Sequence, residues 1–140
     1  MKKIIVSACL LGQNCKYNGG NNYSKKVAEF IKEYEVIPVC PEVAGGLSTP
    51  RIPCEIVDGV VTDRNGESKD KEFRDGAKLC VEKAIEENVE LALLQSRSPS
   101  CGVKQIYDGS FCGKLIEGRG VFAQLLVENG IEVLDAEDIK

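Results

Sequence analysis

The sequence predicts an α/β protein with a three-layer, Rossmann-like, mostly parallel sheet that carries helices on both faces and one or two hairpin excursions. Apolar runs of strand length, rich in β-branched residues, alternate along the chain with stretches whose apolar residues recur at helical spacing. Such alternation is typical of parallel strands joined by right-handed helical crossovers. A chain of 140 residues fits one domain with its own core, so we expect a single α/β domain over residues 1–140.

The first quarter of the chain predicts two core strands joined by a helix. The β-branched run at residues 4–6 has no polar interruption, which is typical of a central parallel strand. Ser24 is placed to cap a helix after the long polar loop that follows this strand. The residues expected on the buried face of that helix are Val27, Phe30, Ile31 and Tyr34. Residues 36–39 predict the second strand, which ends at Cys40.

Turn-forming residues predict an irregular stretch and two hairpins. Residues 41–53 contain three prolines and two glycines, which forbid a regular element of any length. Asp58-Gly59 and Asp108-Gly109 are two-residue hairpin signals between apolar runs. The strands expected to flank these turns are residues 55–57 with 60–62, and residues 103–107 with 110–112.

A long helix and a buried strand are predicted between the two hairpins. The helix begins at Ser68 or Asp70 and is closed by Asn88. Its expected buried residues are Phe73, Ala77, Cys80, Val81, Ala84 and Ile85. Residues 89–94 then form an apolar run that predicts a further core strand.

The last part of the chain predicts one more helix and one more strand. Residues 118–120 precede the helix, and Gly130 ends it at the position that favours a left-handed residue. The residues expected inside are Val121, Phe122, Leu125 and Leu126. Residues 131–134 predict the last strand, and Asp135 is placed to cap a short terminal turn.

Composition and charge exclude several classes of protein. Apolar residues make up 43% of the chain and charged residues 29%, as in ordinary globular proteins. The net charge of −4 argues against a large nucleic-acid surface. No apolar run approaches the length that spans a bilayer, and the apolar run at the start is too short for a signal peptide. We therefore expect a cytoplasmic protein with no membrane partner.

Cysteine and histidine usage narrows the chemistry. The chain has seven cysteines and no histidine. The absence of histidine excludes Ser-His-Asp and Cys-His catalysis and every histidine-based metal site. No CxxC pair occurs, which removes support for zinc-ribbon and thioredoxin-like motifs. Structural disulfides are not expected in a reducing compartment.

Three of the predicted core strands are each followed by a cysteine. The three are Cys9, Cys40 and Cys101. Residues 96–102 around the last combine three serines, an arginine, a proline and a cysteine before a glycine, a combination that no core needs. In a parallel sheet the carboxyl ends of the strands share one edge, where ligands bind. We therefore expect the three thiols to meet at that edge.

Several kinds of site are compatible with three converging thiols. A structural zinc site would need a fourth cysteine or an acid. A [4Fe–4S] cluster is normally held by four cysteines, and one held by three leaves an iron open to substrate. Cys15 is a candidate fourth ligand because its loop follows Cys9. A metal-free redox pair drawn from the three thiols is the remaining alternative.

Short polar motifs are spread over nearly the whole chain. They are Ser-Ala-Cys-Leu-Leu-Gly at 7–12, Lys-Tyr-Asn-Gly at 16–19, Val-Cys-Pro-Glu-Val at 39–43, Thr-Pro-Arg at 49–51, Ser-Pro-Ser-Cys-Gly at 98–102, Ile-Tyr-Asp-Gly at 106–109 and Gly-Arg-Gly-Val at 118–121. In this order they resemble the motifs of a small bacterial family long classed as a domain of unknown function. The characterised members of that family are thiouracil desulfidases, which bind a [4Fe–4S] cluster through three cysteines.

The resemblance implies a function and a site. It implies Cys9, Cys40 and Cys101 as the cluster ligands, with the open iron binding the thiocarbonyl sulfur while water attacks the carbon. It implies non-redox desulfuration of a small thiolated pyrimidine, such as 2- or 4-thiouracil. A longer relative with an extra domain acts on thiouridine in RNA, and this chain lacks that domain, so a free base is expected. Glu42 is the candidate acid or base. Ser98 and Ser100 are candidates to orient the substrate or to hydrogen-bond cluster sulfurs.

Other residues have simpler interpretations or depart from the family pattern. Many relatives have alanine where this chain has Cys54, which makes Cys54 a further candidate ligand. Cys80 is expected in the core and Cys112 to be structural or incidental. Arg51 and Arg97 are interpreted either as ion-paired or surface charges or as groups that hold an anionic substrate. A non-catalytic metal or cluster carrier and a thiol oxidoreductase are the alternative functions.

Overall fold

The computed structural model describes residues 1–139. In chain order its strands and helices are β1 (Lys2–Ser7), α1 (Lys25–Phe30), β2 (Tyr34–Val39), α2 (Pro41–Ala44), β3 (Cys54–Val57), β4 (Val60–Asp63), α3 (Asp70–Glu86), β5 (Leu91–Leu94), β6 (Gln105–Tyr107), β7 (Leu115–Glu117), α4 (Val121–Glu128) and β8 (Glu132–Asp135). Within this range no helix is long and apolar enough to cross a membrane.

Four parallel strands form the central sheet, in the order β2-β1-β5-β8. In the middle of the sheet, Val6 of β1 lies opposite Pro38 of β2 on one side and Leu93 of β5 on the other. Ile4, Ile5 and Val6 are fully buried, because a parallel strand between two others is covered on both faces. Pro38 is tolerated since β2 is an edge strand of this sheet. The predicted parallel arrangement is confirmed.

Helices cover both faces of the sheet, as the sequence predicts. Ile4 belongs to the same apolar cluster as Val27 of α1. The next residue along the strand, Ile5, belongs to a second cluster with Phe73 of α3 and Phe122 of α4. Successive residues of a strand point to opposite faces, so β1 joins the two halves of the core. The three-layer fold class is confirmed.

Helix α1 is shorter than the sequence predicts. The Ser24 hydroxyl accepts a hydrogen bond from the Val27 N–H at 3.2 Å, which confirms the predicted cap. The helix ends at Phe30, a 3₁₀ turn follows at Ile31–Glu33, and Tyr34 is the first residue of β2 rather than part of the helix. The Tyr34 ring stacks on the Phe30 ring with centroids 5.7 Å apart. Tyr34, which had suggested a longer helix, is therefore explained by the contact that it makes with Phe30 from the neighbouring strand β2.

Helix α3 begins at Asp70 and buries the predicted face with one exception. The buried residues include Phe73, Ala77, Cys80, Val81 and Ala84. Ile85 is 55% exposed. Its side chain is rotated by about 100° around the helix axis from that of the buried Ala84, which turns it away from the core. Asn88 has a left-handed backbone with φ of 58°, which confirms that it closes the helix.

The C-terminal elements follow the prediction closely. Val121, Phe122 and Leu126 of α4 are buried, and Leu125 packs against the core while half-buried. Gly130 has φ of 76° just beyond the helix end, as a left-handed C-terminal residue requires. The Asp135 carboxylate accepts the Glu137 N–H at 2.8 Å and so caps the final 3₁₀ turn.

One predicted hairpin is confirmed and the other has the wrong second strand. β3 and β4 pair antiparallel around Asp58-Gly59, with φ values of 49° and 81° that a two-residue turn of this kind needs. β6 pairs instead with β7, at residues 115–117, so residues 110–112 lie in the connecting loop. The Asp108 carboxylate accepts the Ser110 N–H at 2.9 Å, and this local turn diverts the chain before it can pair.

A single helical turn, α2, interrupts the stretch that was predicted to be irregular. Pro41 occupies the first turn of this helix, a position that proline favours. The turn packs tightly on α3 through two glycines. A Cβ on Gly76 would overlap the carbonyl oxygen of Pro41, and one on Gly45 would overlap that of Glu72. This close approach sets the position of α2 beside the end of β2.

We expect Gly76→Ala to destabilise the protein by about 1–3 kcal/mol, because the new methyl group meets backbone rather than a movable side chain. Glycine to alanine in an unobstructed helix instead stabilises by about 1 kcal/mol. Urea unfolding monitored by circular dichroism measures the difference, with the exposed helix position Lys78→Ala as the matched control. A Gly76→Ala protein as stable as the native chain would contradict this packing.

Candidate functional site

The carboxyl edge of the sheet brings the predicted cysteines together. Cys9 lies in a 3₁₀ turn directly after β1, Cys40 follows β2, and Cys101 lies in the loop after β5. These three strands are neighbours in the sheet. The chain leaves β1 toward α1 on one face and leaves β5 toward α4 on the other, which makes the gap between them a topological switch point, where α/β proteins bind ligands.

A cavity of about 530 Å³ opens at this edge. All six predicted site residues line it: Cys9, Cys40, Glu42, Ser98, Ser100 and Cys101. Cys15 and Cys54 line it as well. Cys80 is instead buried in the core and Cys112 is exposed. The volume is that of a small-molecule site.

Cys9 is held by the loop that follows it. The Asn22 side-chain amide donates a hydrogen bond to Cys9 Sγ at 3.5 Å, and the Asn22 backbone N–H donates to the Cys9 carbonyl oxygen at 2.9 Å. Both contacts tie the Gly- and Asn-rich loop back to the end of β1. A neutral donor directed at a sulfur stabilises a thiolate or a metal-bound sulfur there. Sequence reasoning did not single out Asn22, which belongs to the long polar loop after β1.

Cys101 is fixed by the serines beside it. The Ser98 hydroxyl oxygen accepts the backbone N–H groups of Ser100 at 3.1 Å and of Cys101 at 3.0 Å. The Ser100 hydroxyl lies 3.7 Å from Cys101 Sγ. Ser98 therefore sets the backbone of the loop, and Ser100 presents a polar group to the sulfur.

Glu42 is held between an arginine and Ser100. Arg51 Nε donates to Glu42 Oε1 at 3.0 Å, and the Ser100 hydroxyl donates to Glu42 Oε2 at 2.8 Å. The side chains of Arg51 and Glu42 are only 8% and 15% exposed. Each of the two carboxyl oxygens of Glu42 therefore accepts one hydrogen bond, which fixes the orientation of the group. Ser98 Oγ lies 3.0 Å from Ser100 Oγ, so the contacts run from Ser98 through Ser100 to Glu42.

Arg51 uses its remaining donors on the surrounding backbone and side chains. It donates to the Cys15 carbonyl oxygen at 2.8 Å, to that of Ser48 at 3.1 Å and to the Thr49 hydroxyl at 3.0 Å. Its guanidinium therefore joins the Cys15 loop to α2. Of the two interpretations of Arg51, the ion pair is confirmed.

Arg97 also lines the cavity but is paired with an acid. Its guanidinium donates two hydrogen bonds to the Glu137 carboxylate, at 2.8 and 2.7 Å. Its backbone is left-handed, with φ of 60°. Both terminal nitrogens of the guanidinium, the atoms that would bind an anionic substrate, are bonded to Glu137. The ion-pair interpretation therefore holds for Arg97 too.

Burial raises the pKa of four thiols that line the cavity. Removal from water raises the pKa of Cys9 and of Cys101, because the thiolate loses its hydration. The same cause raises the pKa of Cys15 and of Cys54 to about 12. These groups are thiols at neutral pH when no metal is bound, and binding a metal must release protons.

In the metal-free protein we expect iodoacetamide to modify Cys112 first and Cys101 last at pH 7. Alkylation needs an accessible thiolate, and Cys101 is both buried and raised in pKa. The rate at Cys101 should climb by up to about tenfold per pH unit as pH rises toward that pKa. Peptide mass spectrometry measures the order, and a sample unfolded in urea, where the site differences vanish, is the control. Early modification of Cys101 at pH 7 would contradict the buried thiol.

A single metal ion is not the group that this arrangement suits. Within residues 1–139 no three Cys, Asp or Glu side chains lie close enough to hold one ion. A [4Fe–4S] cluster has four irons, so each thiolate binds a separate metal and the thiols need not converge on one point. Three thiols around a cavity of this volume therefore fit a cluster better than a zinc ion.

Comparison with known proteins agrees with the motifs. A sequence model of the family described as 2-thiouracil desulfurase matches residues 4–138. A Bacillus subtilis protein described as uncharacterized protein YbbK is 38% identical over 146 residues, covering 97% of each chain. The solved structure of TudS, a [4Fe-4S]-dependent thiouracil desulfidase, is 40% identical and superposes with a TM-score of 0.92, covering 98% of this chain and 92% of that one.

Proposed function

The chain belongs to the 2-thiouracil desulfurase family, and on this premise we propose that it removes sulfur from 2- or 4-thiouracil, or a close analogue, without net redox change. It is an enzyme of the thiouracil desulfidase type. One observation carries the proposal: three strand-end cysteines line the same cavity. The hydrogen-bonded residues Ser98, Ser100 and Glu42 line that cavity as well.

The residues present fit a [4Fe–4S] cluster. Cys9, Cys40 and Cys101 would hold it, and thiolate is the ligand that such clusters require. The Asn22 amide places an N–H group near Cys9 Sγ, and the Ser100 hydroxyl oxygen lies near Cys101 Sγ. Polar groups of this kind are typical around cluster ligands. Held by three thiolates, the cluster supplies an open iron that acts as a Lewis acid toward a thiocarbonyl sulfur.

Glu42 is proposed as the base that takes a proton from the attacking water. Its carboxylate is held ready by Arg51, and its second oxygen is bonded to the Ser100 hydroxyl. Ser100 can pass a proton to Glu42 and regain one from the water in the same movement. The water oxygen then bonds to the ring carbon, the carbon–sulfur bond breaks, and the carbonyl forms. Both protons of the water, one of them returned by Glu42 through Ser100, leave with the sulfur as hydrogen sulfide. No electrons are exchanged, so no reductant is needed.

The substrate is proposed to be a free base, since a cavity of about 530 Å³ suits one small molecule and the chain is acidic overall. The cytoplasmic location and the single domain stay predictions. Cys15 and Cys54 share the cavity, and each remains a candidate fourth ligand in the absence of substrate. That arrangement would favour the alternative of a non-catalytic cluster carrier.

Anaerobic reconstitution followed by assay tests the function. Purified protein is loaded with iron and sulfide, desalted and incubated with 2-thiouracil or 4-thiouracil without any electron donor. We expect uracil and sulfide in equal amounts over many turnovers. A brown protein that releases no sulfide would support the carrier, and a protein that stays colourless with reactive thiols would support the thiol oxidoreductase.

A further inference from the structure

We infer that Phe111 is the aromatic surface on which the pyrimidine ring stacks, and that Glu55 is the residue that positions it. The inference rests on the proposed function and names how the same cavity recognises its substrate. Phe111 lies in the loop between β6 and β7, within residues 110–112, which were predicted to be a strand.

The distribution of phenylalanines sets Phe111 apart. The chain has four. Phe73 and Phe122 are fully buried in the core, and Phe30 packs against the apolar cluster on the opposite face of the sheet. Phe111 instead lines the cavity that contains the three cysteines. Phe111 is therefore the phenylalanine that lies at the cavity rather than in the core.

The backbone of Phe111 is unusual for a bulky residue. Its φ is 58°, in the left-handed region that glycine and asparagine adopt at little cost. A phenylalanine there costs conformational energy, and residues held in this way concentrate at functional sites. A glycine would adopt this backbone conformation at lower energy. The presence of phenylalanine at this position is therefore explained by its side chain and not by its backbone.

Glu55 of β3 holds this loop in place. Its Oε1 accepts the backbone N–H of Gly109 at 2.9 Å and that of Phe111 at 3.2 Å. The loop also packs closely on β3, since a Cβ on Gly109 would lie 2.7 Å from the Ile56 carbonyl oxygen. Glu55 itself lines the cavity. The first hairpin therefore acts as a support that fixes Phe111 at the cavity wall.

Stacking fits the chemistry of the proposed substrate. A thiolated pyrimidine is a flat ring whose polar groups all lie at its edge, and an aromatic side chain against its face contributes about 1–3 kcal/mol of binding. Tyr17 and Tyr107 also line the cavity, but neither has a left-handed backbone or two hydrogen bonds that fix its loop to β3. Phe111 thus differs from both tyrosines in the way that its backbone is held at the cavity.

The test compares steady-state kinetics of reconstituted variants with 2-thiouracil. We expect Phe111→Leu to raise KM about tenfold while kcat changes little, and Phe111→Tyr to behave as the native protein. Glu55→Ala should raise KM in the same direction, and Glu55→Gln less, because its amide oxygen still accepts hydrogen bonds. Glu55→Ala in the Phe111→Leu background should add nothing further. Cys112→Ser, in the same loop but exposed and outside the cavity, is the control.

Two further measurements separate positioning from general damage. Hydrogen exchange should show faster exchange at the Gly109 and Phe111 amides in Glu55→Ala and unchanged exchange in the central sheet. Calorimetric titration with uracil should show weaker binding to Phe111→Leu. Native-like KM and uracil affinity in Phe111→Leu would overturn the inference, and so would a loss of affinity found only in Tyr107→Leu. In either case, sulfide release by the native protein would leave the proposed function intact. If the native protein released no sulfide, the function would fail and this inference with it.

Discussion

Cys9→Ala, Cys40→Ala and Cys101→Ala are each expected to lose most of the bound iron and the visible iron–sulfur absorbance and to reduce sulfide release to the protein-free background. Each of these thiols lines the cavity at the carboxyl edge of the sheet. A cluster held by three thiolates that loses one is left with two protein ligands, too few to retain it. Iron and sulfide content per protein, measured after anaerobic desalting, and the thiouracil assay give the result.

The remaining cysteines provide matched controls for this experiment. Cys112 is exposed, and Cys80 is buried in the core; neither lines the cavity, so Cys112→Ser and Cys80→Ala should both retain the cluster. Cys15→Ser and Cys54→Ser report on a fourth ligand, because loss of one would change the spectrum of the cluster without removing it. Full iron content in any of the three alanine variants would exclude that cysteine from the ligand set.

Glu42→Gln is expected to lower kcat by about 10²–10⁴-fold while the iron content stays native. The amide cannot accept the proton of the attacking water, although it keeps the shape of the side chain. Glu42 is also the charge partner of Arg51, and both side chains are largely buried. Removing one member of a buried pair destabilises by up to about 3–5 kcal/mol, so thermal unfolding must be measured in parallel and the assay run well below the midpoint.

Ser100→Ala separates the catalytic loss from the structural one. It removes the hydroxyl that donates to Glu42 Oε2 at 2.8 Å but leaves the Arg51 pair intact. We expect a stability loss of only about 1 kcal/mol together with a fall in kcat, because the proton path to Glu42 is interrupted. A Glu42→Gln enzyme with native kcat, or a Ser100→Ala enzyme that turns over normally, would contradict the assigned roles.

Local patterns were sufficient for most of the fold. The β-branched run of β1, the Ser24 cap, the Asp58-Gly59 turn and the left-handed residues at Asn88 and Gly130 all depend on a few neighbouring residues. Steric limits on the backbone and the burial of apolar side chains act at this short range. At Tyr34 the local pattern failed because of a contact with another element, the stacking of its ring on Phe30.

The sequence by itself determined the α/β class, the absence of histidine chemistry and the placement of a cysteine after each of three strands. Only the tertiary structure decided that Arg51 and Ser100 meet on Glu42, residues that are 9 and 58 positions away along the chain. It also decided that Glu55 of β3 holds the backbone of the loop between β6 and β7, with Phe111 at the cavity. These contacts depend on how α2 packs against α3 and how the loop rests on β3. Such packing is set by side chains far apart in sequence, and no local periodicity encodes it.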